Sequence, residues 1–240
     1  METNLTSRTL GEIVNTDFRS AGVFESHGLD FCCGGKQTLG DACAARDLNP
    51  DVVIDALRVL DAETTERGDL AVLEADALAD YIVVTHHRYV ASAMPRIDAW
   101  AKKVAGAHGV NHPETVRIAE VFAAVRTELE QHMFKEEQIL FPYVRQIASE
   151  ARSANGSAPS RFGTVRNPIT MMEMEHENAG RDLAELRRLS NDYTLPADAC
   201  ATFTALYQEL VAFERDLHMH IHLENNLLFP KAIALEERIQ

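Results

Sequence analysis

The stretches HMFKEEQILFP, from His132 to Pro142, and HIHLENNLLFP, from His220 to Pro230, follow one template. Each reads His, an apolar residue, two variable positions, Glu, four residues and then Phe-Pro. The copies lie 88 positions apart, with His, Glu, Leu, Phe and Pro all in register. On a helix, side chains at i and i+4 stand one turn apart on the same face. Each copy therefore offers an imidazole and a carboxylate to one point between packed helices. A single copy would read most simply as a His–Glu hydrogen bond on a solvated face. Two copies in register require a search for further donors.

The hydrophobic periodicity that surrounds them is helical. A first helix is expected from Leu73 to Val104, bent near Pro95, and a second from Pro113 to Glu150, kinked at Pro142. A third covers Ile169 to Leu189 and a fourth Ala197 to Leu228, with the stretch from Arg152 to Pro168 as a flexible connection. No segment alternates long enough to demand a strand. Four such helices make an up-down-up-down bundle spanning residues 72–240. Residues 1–65 read as a small helical domain of their own. In it TLGEIV offers a capping box through Thr9 and Glu12, a second short helix stops at Gly28, and Thr38 caps a helix carrying Cys43. The polar run from Glu63 to Asp69 reads as the linker.

The first and third bundle helices complete the donor set. His86 and His87 lie on the first, His176 on the third. His87 precedes His132 by 45 residues and His176 precedes His220 by 44, so the repeat extends to a duplicated helical hairpin. Adjacent histidines point about 100° apart, so one of His86 and His87 is the donor. Periodicity scarcely separates them, and the matched spacing favours His87. Four histidines with Glu136 and Glu224 exceed what one open-sided ion can use, whereas two ions can share them. Nitrogen and oxygen donors without thiolate suit iron, manganese or zinc. Zinc prefers fewer donors, and six shared ligands with room for an oxo or hydroxo bridge favour iron. His218 and His222 should look away from this point, at the surface or behind the donors. Glu137 reads as solvated, and Glu128 and Glu175 as either site-lining or exposed. His27, His108 and His112 lack donor spacing.

A formal net charge of −14 opposes nucleic-acid or anionic-membrane partners and suits cations. METNLTSRTL is not a signal peptide, and no stretch approaches the ~18 apolar residues of a membrane span. A cytoplasmic location is the expectation. Cys32, Cys33, Cys43 and Cys200 form no secreted disulfide pattern. FCCGG places two thiols beside a glycine turn whose N–H groups favour thiolate, leaving redox exchange, transient iron or cluster binding, and packing as readings. Cys200 reads as structural.

GLDFCCGGKQTL, HMFKEEQILFP, MEMEHENAG, PADAC and HIHLENNLLFP together resemble the iron–sulfur cluster repair di-iron proteins over nearly the whole chain. The resemblance implies a hemerythrin-like all-α bundle behind a small Cys-Cys domain, with two iron ions held by His87, His132, Glu136, His176, His220 and Glu224. Glu136 and Glu224 would bridge, and Cys32 and Cys33 would be the functional pair of the N-terminal domain. It further implies nitric oxide and damaged iron–sulfur proteins as partners, a cytoplasmic monomer or homodimer, and a role after nitrosative and oxidative stress. Iron delivery, nitric-oxide scavenging and nitric-oxide reduction all remain open. Four evenly divided histidines argue against an oxygen carrier, and histidine in place of glutamate on two helices argues against a carboxylate-rich oxidase.

Overall fold

The computed structural model describes residues 5–61, 70–153 and 163–239. The expected linker and the centre of the Arg152–Pro168 connection lie outside the described residues. Among those described, every regular element is helical, and an isolated bridge between Thr9 and Thr38 is the one strand-like pairing. Among the described residues no helix is long and apolar enough to cross a membrane.

The N-terminal helices are α1 (Leu10–Thr16), α2 (Ser20–Ser26), α3 (Leu39–Ala44) and α4 (Pro50–Asp61). The capping box forms: Glu12 N donates to Thr9 Oγ1 at 3.2 Å and Thr9 N to Glu12 Oε2 at 3.0 Å. Gly28, at φ 65°, reverses the chain after α2. Thr38 Oγ1 accepts from Asp41 N to cap α3.

Four rods follow. The first joins α5 (Ala75–Ile82) to α6 (Arg88–His108), and the second α7 (Glu114–Lys135) to α8 (Phe141–Ser153). The third is α9 (Arg166–Leu189), and the fourth joins α10 (Ala201–Leu223) to α11 (Phe229–Ile239). The joints are single widened π-turns at Val83–His87, Glu136–Leu140 and Glu224–Leu228, closed by i→i+5 bonds such as Phe141 N–H to Glu136 O. Two of them answer a proline. Pro142 and Pro230 offer no N–H, and their rings crowd the carbonyl four residues earlier. Widening the preceding turn lets the helix pass, so the fourth rod continues to Ile239 where the sequence suggested an end at Leu228. The first rod stays helical through Pro95, and its irregular turn lies at the histidines instead. The fourth rod also begins later than expected, because Asn191, Asp192 and Tyr193 all adopt positive φ and the turn runs on to Cys200.

Two apolar clusters fill the molecule. One, with Ile97, Phe122, Leu210 and Phe213, is continuous with the core of the N-terminal helices, including Leu10, Phe24 and Cys43. The other packs Ile82, Phe141, Ile169 and Phe229 at the opposite end. The widened turns fall between the two clusters, and there the bundle is polar.

Candidate metal centre

All six sequence-selected donors lie buried in this polar layer, with Glu136 and Glu224 wholly shielded. Ligand atoms of His87, Glu136, His220 and Glu224 lie within 4.8 Å of one another, and so do those of His132, Glu136, His176 and Glu224. Both carboxylates belong to both groups. His87 Nε2 stands 3.2 Å from His220 Nε2, and His132 Nε2 stands 3.1 Å from His176 Nε2.

The outward ring nitrogens fix what the inward ones present. His87 Nδ1 donates to Glu137 Oε1, His132 Nδ1 to Glu175 Oε2 and His176 Nδ1 to Asn225 Oδ1, each at 2.8 Å. These partners only accept; the Asn225 oxygen is identified because its Nδ2 donates to the Cys32 carbonyl. The three Nδ1 atoms therefore carry hydrogen, and in the neutral rings the Nε2 lone pairs point inward. Between His132 and His176 two such lone pairs face each other at hydrogen-bond distance, which needs a proton or a cation between them.

The electrostatics agree. Burial works to lower the pKa of His87 and His132, but the Glu136 carboxylate outweighs it, raising His87 and taking His132 to about 10. Burial dominates at His220 and holds it low. Burial opposes ionisation of Glu136 and Glu224, and Glu224 opposes that of Glu136, yet the imidazoles keep both carboxylates below their usual range. Both oxygens of Glu136, together with Glu224 Oε2 and His220 Nδ1, still accept or donate no hydrogen bond. Glu136 Oε2 is 3.3 Å from His132 Nε2 and 3.4 Å from His87 Nε2, but off the line a bond requires. Shielded, unsatisfied carboxylate oxygens beside imidazole nitrogens fit cations.

Several residues differ from what the sequence suggested. Glu137 is partly exposed but also bonds to His87, and Glu175 is tied to both His132 and Lys135. His86 is buried too, but its Nδ1 bonds to Asp216 Oδ1 at 3.0 Å and its ring stacks 5.8 Å from that of His220, behind the donors. His218 looks away, onto Glu25, as expected. His222 is fully buried where the N-terminal helices dock: its Nε2 donates to Asn15 Oδ1 at 2.9 Å, and burial pushes its pKa down to about 4. Asn225 carried no sequence signal beyond its place after Glu224. Cys32 also departs from expectation. Its N–H and that of Cys33 donate to Asp30 Oδ1, so they are not free to support a thiolate. The contact with Cys33, burial and Asp30 push the Cys32 thiol well up. Asp30, Cys32 and Cys33 offer a second, smaller group of donor atoms.

A cavity of about 180 Å³ leads from solvent to His132, His176 and His220, passing Glu128, Gln131 and Asp182.

Residues 78–232 match the model of the hemerythrin HHE cation binding domain, and residues 6–61 match a domain of unknown function designated ScdA_N or DUF542. The iron–sulfur cluster repair protein YtfE of Pectobacterium atrosepticum is 38% identical over 229 residues, covering 95% of this chain and 98% of that protein. Proteins of the same name from Musicola paradisiaca and Salmonella schwarzengrund are 37% and 36% identical, each aligned over 95% of this chain and 97% of the relative. The buried histidine–glutamate layer is thus carried by a hemerythrin-type cation-binding bundle, and the chain belongs to the iron–sulfur cluster repair protein family.

Proposed function

We propose that His87, His132, Glu136, His176, His220 and Glu224 hold two non-haem iron ions, and that the protein uses them in repairing iron–sulfur clusters damaged by nitrosative and oxidative stress. His87 and His220 would hold one ion and His132 and His176 the other, Glu136 and Glu224 would serve both, and an oxo or hydroxo group would have room beside them. The observation that carries this reading is that two donor groups share both carboxylates, with oxygens left unsatisfied. Six nitrogen and oxygen donors without thiolate favour iron over zinc. Bound there, iron supplies Lewis acidity, open positions for a small ligand, and a store of metal.

The protein's own residues do the rest. Glu137, Glu175 and Asn225 hold three imidazoles with Nε2 inward, so the site is formed before metal arrives. The apolar clusters on either side keep bulk water from the carboxylates. Cys32 and Cys33 serve transfer or redox work, because a thiol pair offers soft ligands or electrons to metal moving toward a recipient protein. The cavity favours a second reading alongside the first: its size admits a diatomic gas, so nitric oxide binds or reacts at the same centre.

The test is anaerobic mixing of iron-loaded protein with a nitric-oxide-damaged iron–sulfur enzyme. Enzyme recovery, the iron left on the chain and gaseous products are followed together. Donation predicts recovery with matching iron loss, abolished by His132→Ala and reduced by Cys32→Ser with Cys33→Ser. Recovery that is unchanged in His132→Ala would contradict the proposal. Full iron retention with nitric-oxide consumption would favour the gas-binding reading.

A further inference from the structure

The two copies of the repeat diverge directly after the shared glutamate, where the first has Glu137 and the second Asn225. The two side chains nonetheless play the same part. Each accepts the Nδ1 hydrogen of the histidine on the preceding rod, His87 or His176, at 2.8 Å. An amide adds a donor that a carboxylate lacks. Asn225 Nδ2 uses it on the Cys32 carbonyl at 3.4 Å, and the neighbouring Asn226 Nδ2 donates to the same carbonyl at 3.0 Å. The backbone of the cysteine pair is thus held by two consecutive amides from the widened turn that begins at Glu224.

Gly35 of FCCGG, together with Gly11, permits this approach. A Cβ on Gly35 would overlap Asn226 Oδ1 and the Phe31 carbonyl, and one on Gly11 would come within 2.8 Å of Asn226 Oδ1. Cys33 Sγ rests over Gly180, one turn beyond His176 on α9. A cavity of about 140 Å³ opens beside Cys33, lined also by Glu173, Glu177 and Asn225. Asn225 itself is buried, so its amide has few partners other than these two.

We propose that Asn225 is a positioning residue that couples the Cys32–Cys33 loop to His176, and through it to one of the two ions. While the Cys32 carbonyl holds its NH2 group, the Asn225 oxygen must face His176 Nδ1. Displacement of the loop by a partner or by chemistry at Cys33 frees the amide and loosens the ion held by His132 and His176. The ion held by His87 and His220 keeps its Glu137 acceptor and stays. This inference rests on the reading of the six buried residues as a two-ion centre. It supplies that centre with an ordered release, in which the ion beside the cysteines leaves first.

The experiment uses the full-length chain with Asn225→Ala, Gly35→Ala, their combination and Asn225→Asp. One readout is ¹⁵N NMR of the histidine rings in metal-free protein. The other is the release of each ferrous ion to a chelator after loading. Asn225→Ala and Gly35→Ala should both shift the His176 proton from Nδ1 and speed loss of one ion about tenfold, as typical for a ligand's hydrogen-bond partner. The combination should be no faster than Asn225→Ala alone, since both act through one contact. Asn225→Asp keeps an acceptor for His176 but not the donor for the loop, so His176 should retain its Nδ1 hydrogen and Gly35→Ala should have no further effect. Should Gly35→Ala fail to fold, Asn226→Ala removes the shorter of the two amide bonds that hold the Cys32 carbonyl, and so loosens the loop without added bulk. Unchanged His176 signals on releasing the loop, additive effects in the combination, or equal loosening of both ions would each overturn the coupling. If wild-type protein takes up no ion pair, the two-ion reading fails separately, and the metal-free NMR still decides whether loop and histidine are linked.

Discussion

Glu175→Gln isolates how much a partner behind the donors matters. The Glu175 carboxylate accepts from His132 Nδ1 at 2.8 Å and also pairs with Lys135. The His132 bond, with Lys135, outweighs burial and holds the Glu175 pKa at about 2, so the group is charged at neutral pH. Glutamine keeps an acceptor of equal length and removes the charge. A charged acceptor makes a hydrogen bond about twice as strong as a neutral one, so the change costs about 1.4 kcal/mol. That corresponds to roughly tenfold in affinity, the lower end of what such partners contribute at metal sites. Only the ion held by His132 and His176 should weaken, read by chelator competition on iron-loaded protein. Glu137→Gln should weaken the other ion, and by less, because its side chain is 38% exposed against 26% for Glu175. The reasoning would be refuted by unchanged release of both ions. It would equally be refuted if Glu128→Gln, which lines the cavity without bonding a donor histidine, were as damaging.

Metal-free protein holds a proton on His132, whose pKa is raised to about 10, and a cation must displace it, so iron affinity should fall as pH drops from 8 to 6, checked by competition titration. In the same metal-free protein, His132 is raised above its unfolded value. Its contribution is therefore complete below about pH 6.5 and lost as pH rises toward 10, and the melting-temperature advantage over His132→Gln should shrink along that range. Glu236→Ala leaves Tyr143 Oη, which donates at 2.7 Å, and Val165 N, at 2.9 Å, without an acceptor; urea denaturation should show a loss of about 3 kcal/mol with the donor layer intact. The Cys200 thiol is lowered by the Phe203 N–H and by His108, whose Nε2 is 3.2 Å from its sulfur, so it should react with a disulfide reagent faster than Cys200 in His108→Ala.

The six buried side chains were legible because a cluster repeated on a duplicated hairpin writes its geometry into spacing. His-x-x-x-Glu fixes a face whatever the rest of the helix does. Periodicity alone could not choose His87 over His86, since both are buried on a rod whose turn widens at that point. The widened turns escaped a reading that assumed 3.6 residues throughout, and with them the continuation of the fourth rod through Pro230. Partners such as Glu175, Glu137 and Asn225 are set by how neighbouring rods rotate, which no single helix records. Likewise, the glycines after Cys33 suggested a nest for thiolate. Docking gives Gly35 another purpose, close approach to Asn226, while Asp30 takes the cysteine N–H groups.

Mössbauer spectroscopy of the protein saturated with ⁵⁷Fe and oxidised by air tests the central claim most directly. Two ions sharing Glu136 and Glu224 predict two irons per chain as spin-coupled, high-spin ferric sites with a diamagnetic ground state. A single magnetically isolated ferric site, or one iron per chain at saturation, would contradict it.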